Sequence, residues 1–208
     1  MPSPGECLAR ILDEGRYCAS RTLGEAGAAE LHLHAMERFV ALEPTIPPFR
    51  GSMNRALFSY GPPVLALYQA LMHDLGVDRE PALGLAEEML QAFVRKQLTR
   101  RPLLNAAMRV VFRLKPARSL LMRSLRKEEP DGFRFEEASD PGALWAFDVR
   151  ECALVRFARR HGAPEIVPMI CRVDDLVAKE LHGLELRRTG TLGTGAERCD
   201  FRYVDVRK

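Results

Sequence analysis

Cys171, Asp174 and Asp175 stand in the run Cys171-Arg172-Val173-Asp174-Asp175. On a helix, spacings of three and four put both carboxylates within reach of the thiol. A thiol beside a carboxylate can act as a nucleophile with a partner that orients it or moves its proton. The carboxylate alone raises the thiol's pKa, so this chemistry also needs a cation, and Arg172, Arg187 and Arg188 are the near candidates. A second dense group closes the chain, running from Arg188-Thr189-Gly190-Thr191 through Gly193-Thr194-Gly195 to Cys199-Asp200-Phe201-Arg202-Tyr203. It reads as two strands joined by a glycine-rich hairpin turn. Alternation then puts Cys199, Phe201 and Tyr203 on one face of the last strand and Asp200 and Arg202 on the other. Thr189 and Thr191 share a face of the preceding strand. Their hydroxyls could hold a ligand carboxylate, a task that the planar fork of Arg188 also suits. The bland readings are that the cysteines are small core residues and the threonines good strand formers.

Cys152, Cys171 and Cys199 with Asp174 are the right residue types for zinc, but no two cysteines are close in sequence, unlike a zinc ribbon or finger. The expectation is no metal and no cofactor. Gly193-Thr194-Gly195 links two strands where a phosphate loop would link a strand to a helix. No Ser-His-Asp or His-Glu-x-x-His pattern appears among the five histidines.

The elements that must position these groups are legible in part. The first half reads as helical: residues 26–42, with Leu31, Ala35 and Phe39 at helical spacing; 63–75, between Pro62-Pro63 and Gly76; 81–99, with Leu85, Met89 and Phe93 on one side; and 103–114, followed by a short helix to Arg126. Residues 132–137 and 144–150 then alternate as strands, separated by the turn composition Ser139-Asp140-Pro141-Gly142. Helices follow over 152–161 and 164–181, and the strand pair ends the chain. This order predicts an α+β fold: a helical N-terminal half and an antiparallel sheet of about four strands packed with helices. A single domain over 1–208 is expected, mostly helical through 127, with the α+β part from 128 on.

The chain has 208 residues, 47% hydrophobic and 28% charged, with a formal charge of +3. That charge is too mild to make nucleic acid the main partner. No basic-then-apolar leader and no long apolar run appears, so neither a signal peptide nor an integral membrane segment is expected. Five cysteines without an export signal suggest free thiols in a reducing cytoplasm. Between Arg95 and Lys127 lie eleven basic residues and no acidic one. This could be a phosphate or anionic-membrane surface. The favoured reading is a solvated face of amphipathic helices, with Met108, Val111, Phe112, Leu120 and Leu121 buried.

Three stretches together resemble the L-2-amino-thiazoline-4-carboxylic acid hydrolase family: Trp145-Ala146-Phe147-Asp148-Val149-Arg150-Glu151-Cys152, Cys171-Arg172-Val173-Asp174, and the closing Gly195-Ala196-Glu197-Arg198-Cys199-Asp200-Phe201-Arg202-Tyr203 with Arg188-Thr189-Gly190-Thr191-Leu192 before it. The resemblance implies hydrolytic opening of a cyclic amidine, a thiazoline carrying a carboxylate, at a C–N bond. It carries over Cys152, Cys171, Asp174, Thr191, Cys199 and Asp200. The expected catalytic group is therefore Cys171, Asp174, Cys199 and Asp200, with Cys171 ahead of Cys199 as nucleophile. The expected substrate-binding group is Cys152, Arg188, Thr189 and Thr191. The three cysteines should converge on one site, with Cys7 and Cys18 elsewhere. The partner is a small molecule, and self-association is compatible with the sequence. The end pattern also looks like the vinyl-reductase-type sensor domains, so a non-catalytic binding module is the alternative, with a biosynthetic lyase or cyclase as a third reading.

Overall fold

The computed structural model describes the backbone at 3–100, 102–127, 129–182 and 184–205, with side chains there except at 104, 108, 109, 111, 181 and 182. The first helix, α1 (Pro4–Glu14), precedes anything the periodicity indicated. Ser3 starts it. The Glu6 N–H donates to the Ser3 hydroxyl at 3.2 Å and the Ser3 N–H donates to the Glu6 carboxylate at 2.7 Å, with Pro4 at the first helical position. This reciprocal cap satisfies two N–H groups that a helix start leaves orphaned. Helix α2 (Arg16–Leu42) likewise begins ten residues before the expected start, and Gly24 at φ 76° kinks it. Then come α3 (Ser52–Phe58), α4 (Gly61–Gln69), α5 (Arg79–Thr99), α6 (Pro102–Val111) and α7 (Lys115–Leu125). Prolines at helix starts recur in α4, α6 and α7, where a missing N–H costs nothing.

The chain packs as two compact units. The first is Met1–Pro48 with Ala56–Gln97, built on fully buried Leu8 and Ile11 of α1, Leu31 of α2, Leu65 and Leu67 of α4, and Met89 and Leu90 of α5. Burying each such side chain stabilises by about 1.5–3 kcal/mol. The second is Phe49–Arg55 with Leu98–Lys208. Packing thus divides at Gln97/Leu98, upstream of the change in sequence character at 127, because α7 packs on the first strand and Phe112 packs edge-on against Trp145 at 5.0 Å.

In the second unit, β1 (Arg134–Glu137), β2 (Trp145–Glu151), β3 (Glu185–Arg187) and β4 (Cys199–Val204) form an antiparallel sheet in the order β1-β2-β4-β3. Helices α8 (Ala153–Arg160) and α9 (Ile166–Val177) lie between β2 and β3, and α9 runs on as a π-helical turn, Ala178–His182. The fold is α+β, with the helical first half and four-stranded antiparallel sheet that the sequence pattern predicts. Among the described residues no helix is long and apolar enough to cross a membrane.

Strand register lines up Val149 with Cys199, Phe147 with Phe201 and Trp145 with Tyr203. These six therefore share one face, where Phe147 stacks on Phe201 at 4.9 Å. On the other face Asp148 pairs with Arg202 at 2.9 Å and lies opposite Asp200. The expected closing hairpin is corrected: β3 ends at Arg187, and residues 188–198 are a long connection holding a 3-10 turn, Leu192–Thr194. Strand pairing stops because the Thr189 and Gly190 N–H groups donate to the Asp200 carboxylate instead of a neighbouring carbonyl. Leu120 departs from the expected burial and is exposed, while Phe112 is buried; the side chains of Met108 and Val111 lie outside the described residues.

Segment 49–55 joins the sheet unit through buried Asn54. Its Nδ2 donates to Glu129 at 2.7 Å and its Oδ1 accepts from the Phe133 N–H at 3.2 Å. The Arg50 and Gly51 N–H groups also donate to Glu129. With Asn54 the largest cause, these bonds hold the Glu129 carboxyl below its usual range. Replacing Asn54 by Ala strands two partners, so we expect a loss of about 1–3 kcal/mol in urea unfolding with far-UV circular dichroism unchanged. A stability equal to that of the parent protein would show that the clamp contributes nothing.

Candidate active site

Three elements deliver three thiols. Cys152 is the N-cap residue of α8, Cys171 lies on α9 and Cys199 opens β4. Cys152 and Cys199 are buried and Cys171 is half-buried. Asp174 and Arg188 act on both the Cys171 and the Cys199 thiol, and Cys152 and Cys199 lie near enough to Cys171 to couple to its ionisation. The three thiols, Asp174 and Arg188 therefore influence one another electrostatically. Cys7 and Cys18 belong to α1 and α2.

The side chain of Asp174 keeps 40% of its exposure, yet protein atoms crowd the carboxyl densely. Its carboxyl is thus crowded by protein while part of the side chain still meets solvent. Burial lifts its carboxyl to about 7; Arg188 opposes the rise and Asp175 adds to it. Burial also pushes the Cys171 thiol up to about 12, with Asp174 as the next cause, and the Cys152 thiol up to about 11. Cys152 makes no capping hydrogen bond, although the Val155 and Leu154 N–H groups pull its thiol down against burial. Cys199 is raised by burial, against the Leu192 N–H that donates to its sulfur at 3.2 Å.

Arg188 links these pieces. Its side chain is 10% exposed and its guanidinium donates to Asp175 at 2.6 Å, to Asp174 at 3.4 Å and to the Cys171 carbonyl at 3.1 Å. Its flat face lies 5.2 Å from the centre of the Phe201 ring, a cation–π distance. Of Arg187 and Arg188, Arg188 is the one that reaches the Cys171 segment. Arg187 pairs with Glu185 instead.

Asp200 and the two threonines have structural work. The Thr189 hydroxyl and the Thr189 and Gly190 N–H groups all donate to Asp200, at 2.7–3.1 Å. Burial would raise this carboxyl, but the bonds from Thr189 and Gly190 bring it below the usual range. The Thr191 hydroxyl accepts from the Thr194 N–H at 3.2 Å and caps the 3-10 turn. That turn lies close against α9: a Cβ on Gly193 would stand 2.8 Å from Val167, so only glycine allows the approach. The sequence marked Asp200 as catalytic and Thr189 and Thr191 as substrate-binding; in the fold their hydrogen bonds hold the 188–194 loop beside Cys199. Asp175, the strongest partner of Arg188, received less weight from its spacing than it has in the fold. Cys152 at the head of α8 was legible, because the expected helix began at that residue.

Among the described residues, no three of His, Cys, Asp and Glu stand close enough to hold a metal ion together. A cavity of about 500 Å³ opens elsewhere, between α7 and the 137–146 turn, and its lining of Lys115, Arg118, Glu137, Asp140 and Trp145 includes no thiol.

Comparison with known proteins agrees with this concentration of reactive groups. A family model described as L-2-amino-thiazoline-4-carboxylic acid hydrolase matches residues 54–203, which include every thiol and carboxylate of the site. No curated protein and no solved structure matches the chain. The family match covers most of the sequence, and the chain belongs to the L-2-amino-thiazoline-4-carboxylic acid hydrolase family.

Proposed function

We propose that the protein hydrolyses a small carboxylated cyclic amidine of the thiazoline type at the recess between α9 and the 188–194 loop. The observation that carries this reading is the Asp174 carboxyl lifted to about 7 beside a half-buried thiol and a mostly enclosed guanidinium. A carboxyl poised near neutrality can take and return a proton within one catalytic cycle.

Cys171 is the nucleophile in this scheme. It is the reachable thiol and the one on the same helix side as Asp174. A free thiolate is disfavoured at about 12, so attack and proton loss occur together. Sulfur bonds to the amidine carbon while Asp174 accepts the thiol proton, and the former double-bond nitrogen gains a proton from the now neutral Asp174. The ring C–N bond then breaks, with the electron pair leaving on nitrogen. Water adds to the same carbon, its proton passing through Asp174, and expulsion of the Cys171 sulfur restores the thiol. The net change is addition of one water. Arg188 binds the substrate carboxylate, since its fork can exchange the longer contact with Asp174 for a bidentate one. Cys199 and Cys152 wall the recess, and Thr189, Thr191 and Asp200 fix the loop that carries Arg188.

Incubation with 2-amino-thiazoline-4-carboxylate, followed by mass analysis for the carbamoyl product and an assay for the amine freed by C–N cleavage, tests the reaction. Binding without turnover would transfer support to the sensor-type module. Cys171→Ser is expected to abolish product formation while lowering stability by only about 1–2 kcal/mol. Near-parental rates in that variant would leave water, activated by Asp174, as the attacking group.

The pH profile has a definite sign. Asp174 works as a base only when ionised, so kcat/KM should climb as pH rises through about 7 and fall on the acid side. Asp174→Asn should lose roughly 10²–10⁴-fold and flatten that limb. An unchanged acid limb in the variant would assign the titration to another group.

A further inference from the structure

Helices α6 and α7 lie within a segment of unusual composition. From Arg95 to Lys127 there are eleven lysines and arginines and no aspartate or glutamate. The same helices and the residue that caps α7 leave aliphatic side chains in water: Leu103 is 86% exposed, Val110 61%, Leu114 51% and Leu120 67%. On α6, Leu103, Ala106, Ala107 and Val110 follow the spacing of a single helix stripe, and all four are exposed. On α7, buried Met122 and Leu125 anchor one side, while Ser119, Leu120 and Arg123 face outward at spacings that make them neighbours.

Some of the cations are committed within the fold. Arg113 pairs with Asp205 at 2.9 Å, and Arg118 donates to the Phe112 and Arg113 carbonyls. Lys115, Arg123, Arg126 and Lys127 are exposed and, among the described residues, have no ion pair. The surface thus offers aliphatic stripes and unneutralised positive charge on the same pair of helices. Nucleic acid would answer the charge but leave the leucines wet, and this surface has no exposed aromatic side chain for base stacking. A second copy would cover the leucines but set like charges against each other. A bilayer with anionic headgroups answers both, because an amphipathic helix lies in the headgroup region with its apolar side among the acyl chains.

We infer that α6 and α7 form a peripheral docking surface for an anionic lipid bilayer. The test is co-sedimentation of the full chain with vesicles of phosphatidylcholine alone and of phosphatidylcholine mixed with phosphatidylglycerol. Binding is expected to the mixed vesicles only, and to weaken as sodium chloride is raised. Lys115→Glu and Arg123→Glu should each weaken it at least about fivefold, and Leu103→Ser about tenfold. All three should retain the parental circular dichroism, because these side chains are exposed. Failure to bind the mixed vesicles, equal binding to both vesicle types, or binding indifferent to the three substitutions would each overturn the inference. A concentration-dependent dimer that Leu103→Ser disperses, without vesicle binding, would assign the surface to a second copy.

Discussion

The mostly enclosed guanidinium of Arg188 is the interaction on which the site depends. It reaches from the chain just after β3 to the carbonyl and carboxylates of α9, and its face rests over Phe201 of β4. Helix, loop and sheet are thereby fixed around one cation. An unpaired charge at that depth would be prohibitively costly, so Asp174 and Asp175 are required partners. The pairing is unequal: Asp175 is at 2.6 Å and Asp174 at 3.4 Å. The looser partner is the carboxyl that burial raises toward neutrality. One cation therefore both secures the fold of the recess and keeps a carboxyl ready to change protonation.

The thiols answer to the same field. Burial and the neighbouring carboxylate hold all three in the neutral form, and the N–H groups at Cys152 and Cys199 only partly offset this. A site of neutral thiols beside a carboxyl near 7 favours steps in which bond formation and proton transfer are coupled over steps that begin from a free thiolate. It also explains the effort spent on the 188–194 loop. Asp200, Thr189, Thr191 and Gly193 hold that loop in place through hydrogen bonds and close packing. Arg188 is its first residue, so looseness there would carry over to the cation that both carboxylates need.

Away from the site, the sheet has two faces of different chemistry. The aromatic face, from Phe135 through Phe147 to Phe201, supplies the packing that lets Cys199 and Arg188 be buried. The opposite face carries Asp148 with Arg202, Arg198 and Arg150 around it. Strand alternation made this separation inevitable once β2 and β4 paired in register, because a shift of one residue would turn every aromatic side chain to the charged face.

The sequence by itself determined the fold class, the strand alternation that sides Cys199 with Phe201 and Tyr203, and the segments that carry the reactive groups, because periodicity and cysteine position are local properties. It also contained the Ser3 and Glu6 cap that starts α1 and the apolar Cys7, Leu8, Ile11 and Leu12 that follow it. The environment of each polar group comes from the fold. The Asp200 carboxylate is held by N–H groups from residues ten and eleven positions away. That Arg188 serves α9 and not the chain beside it, and that Asp174 and not Asp200 is raised toward neutrality, likewise follow from burial and long-range pairing. Burial and pairing are summed over every neighbour in space, and no spacing along the chain encodes that sum.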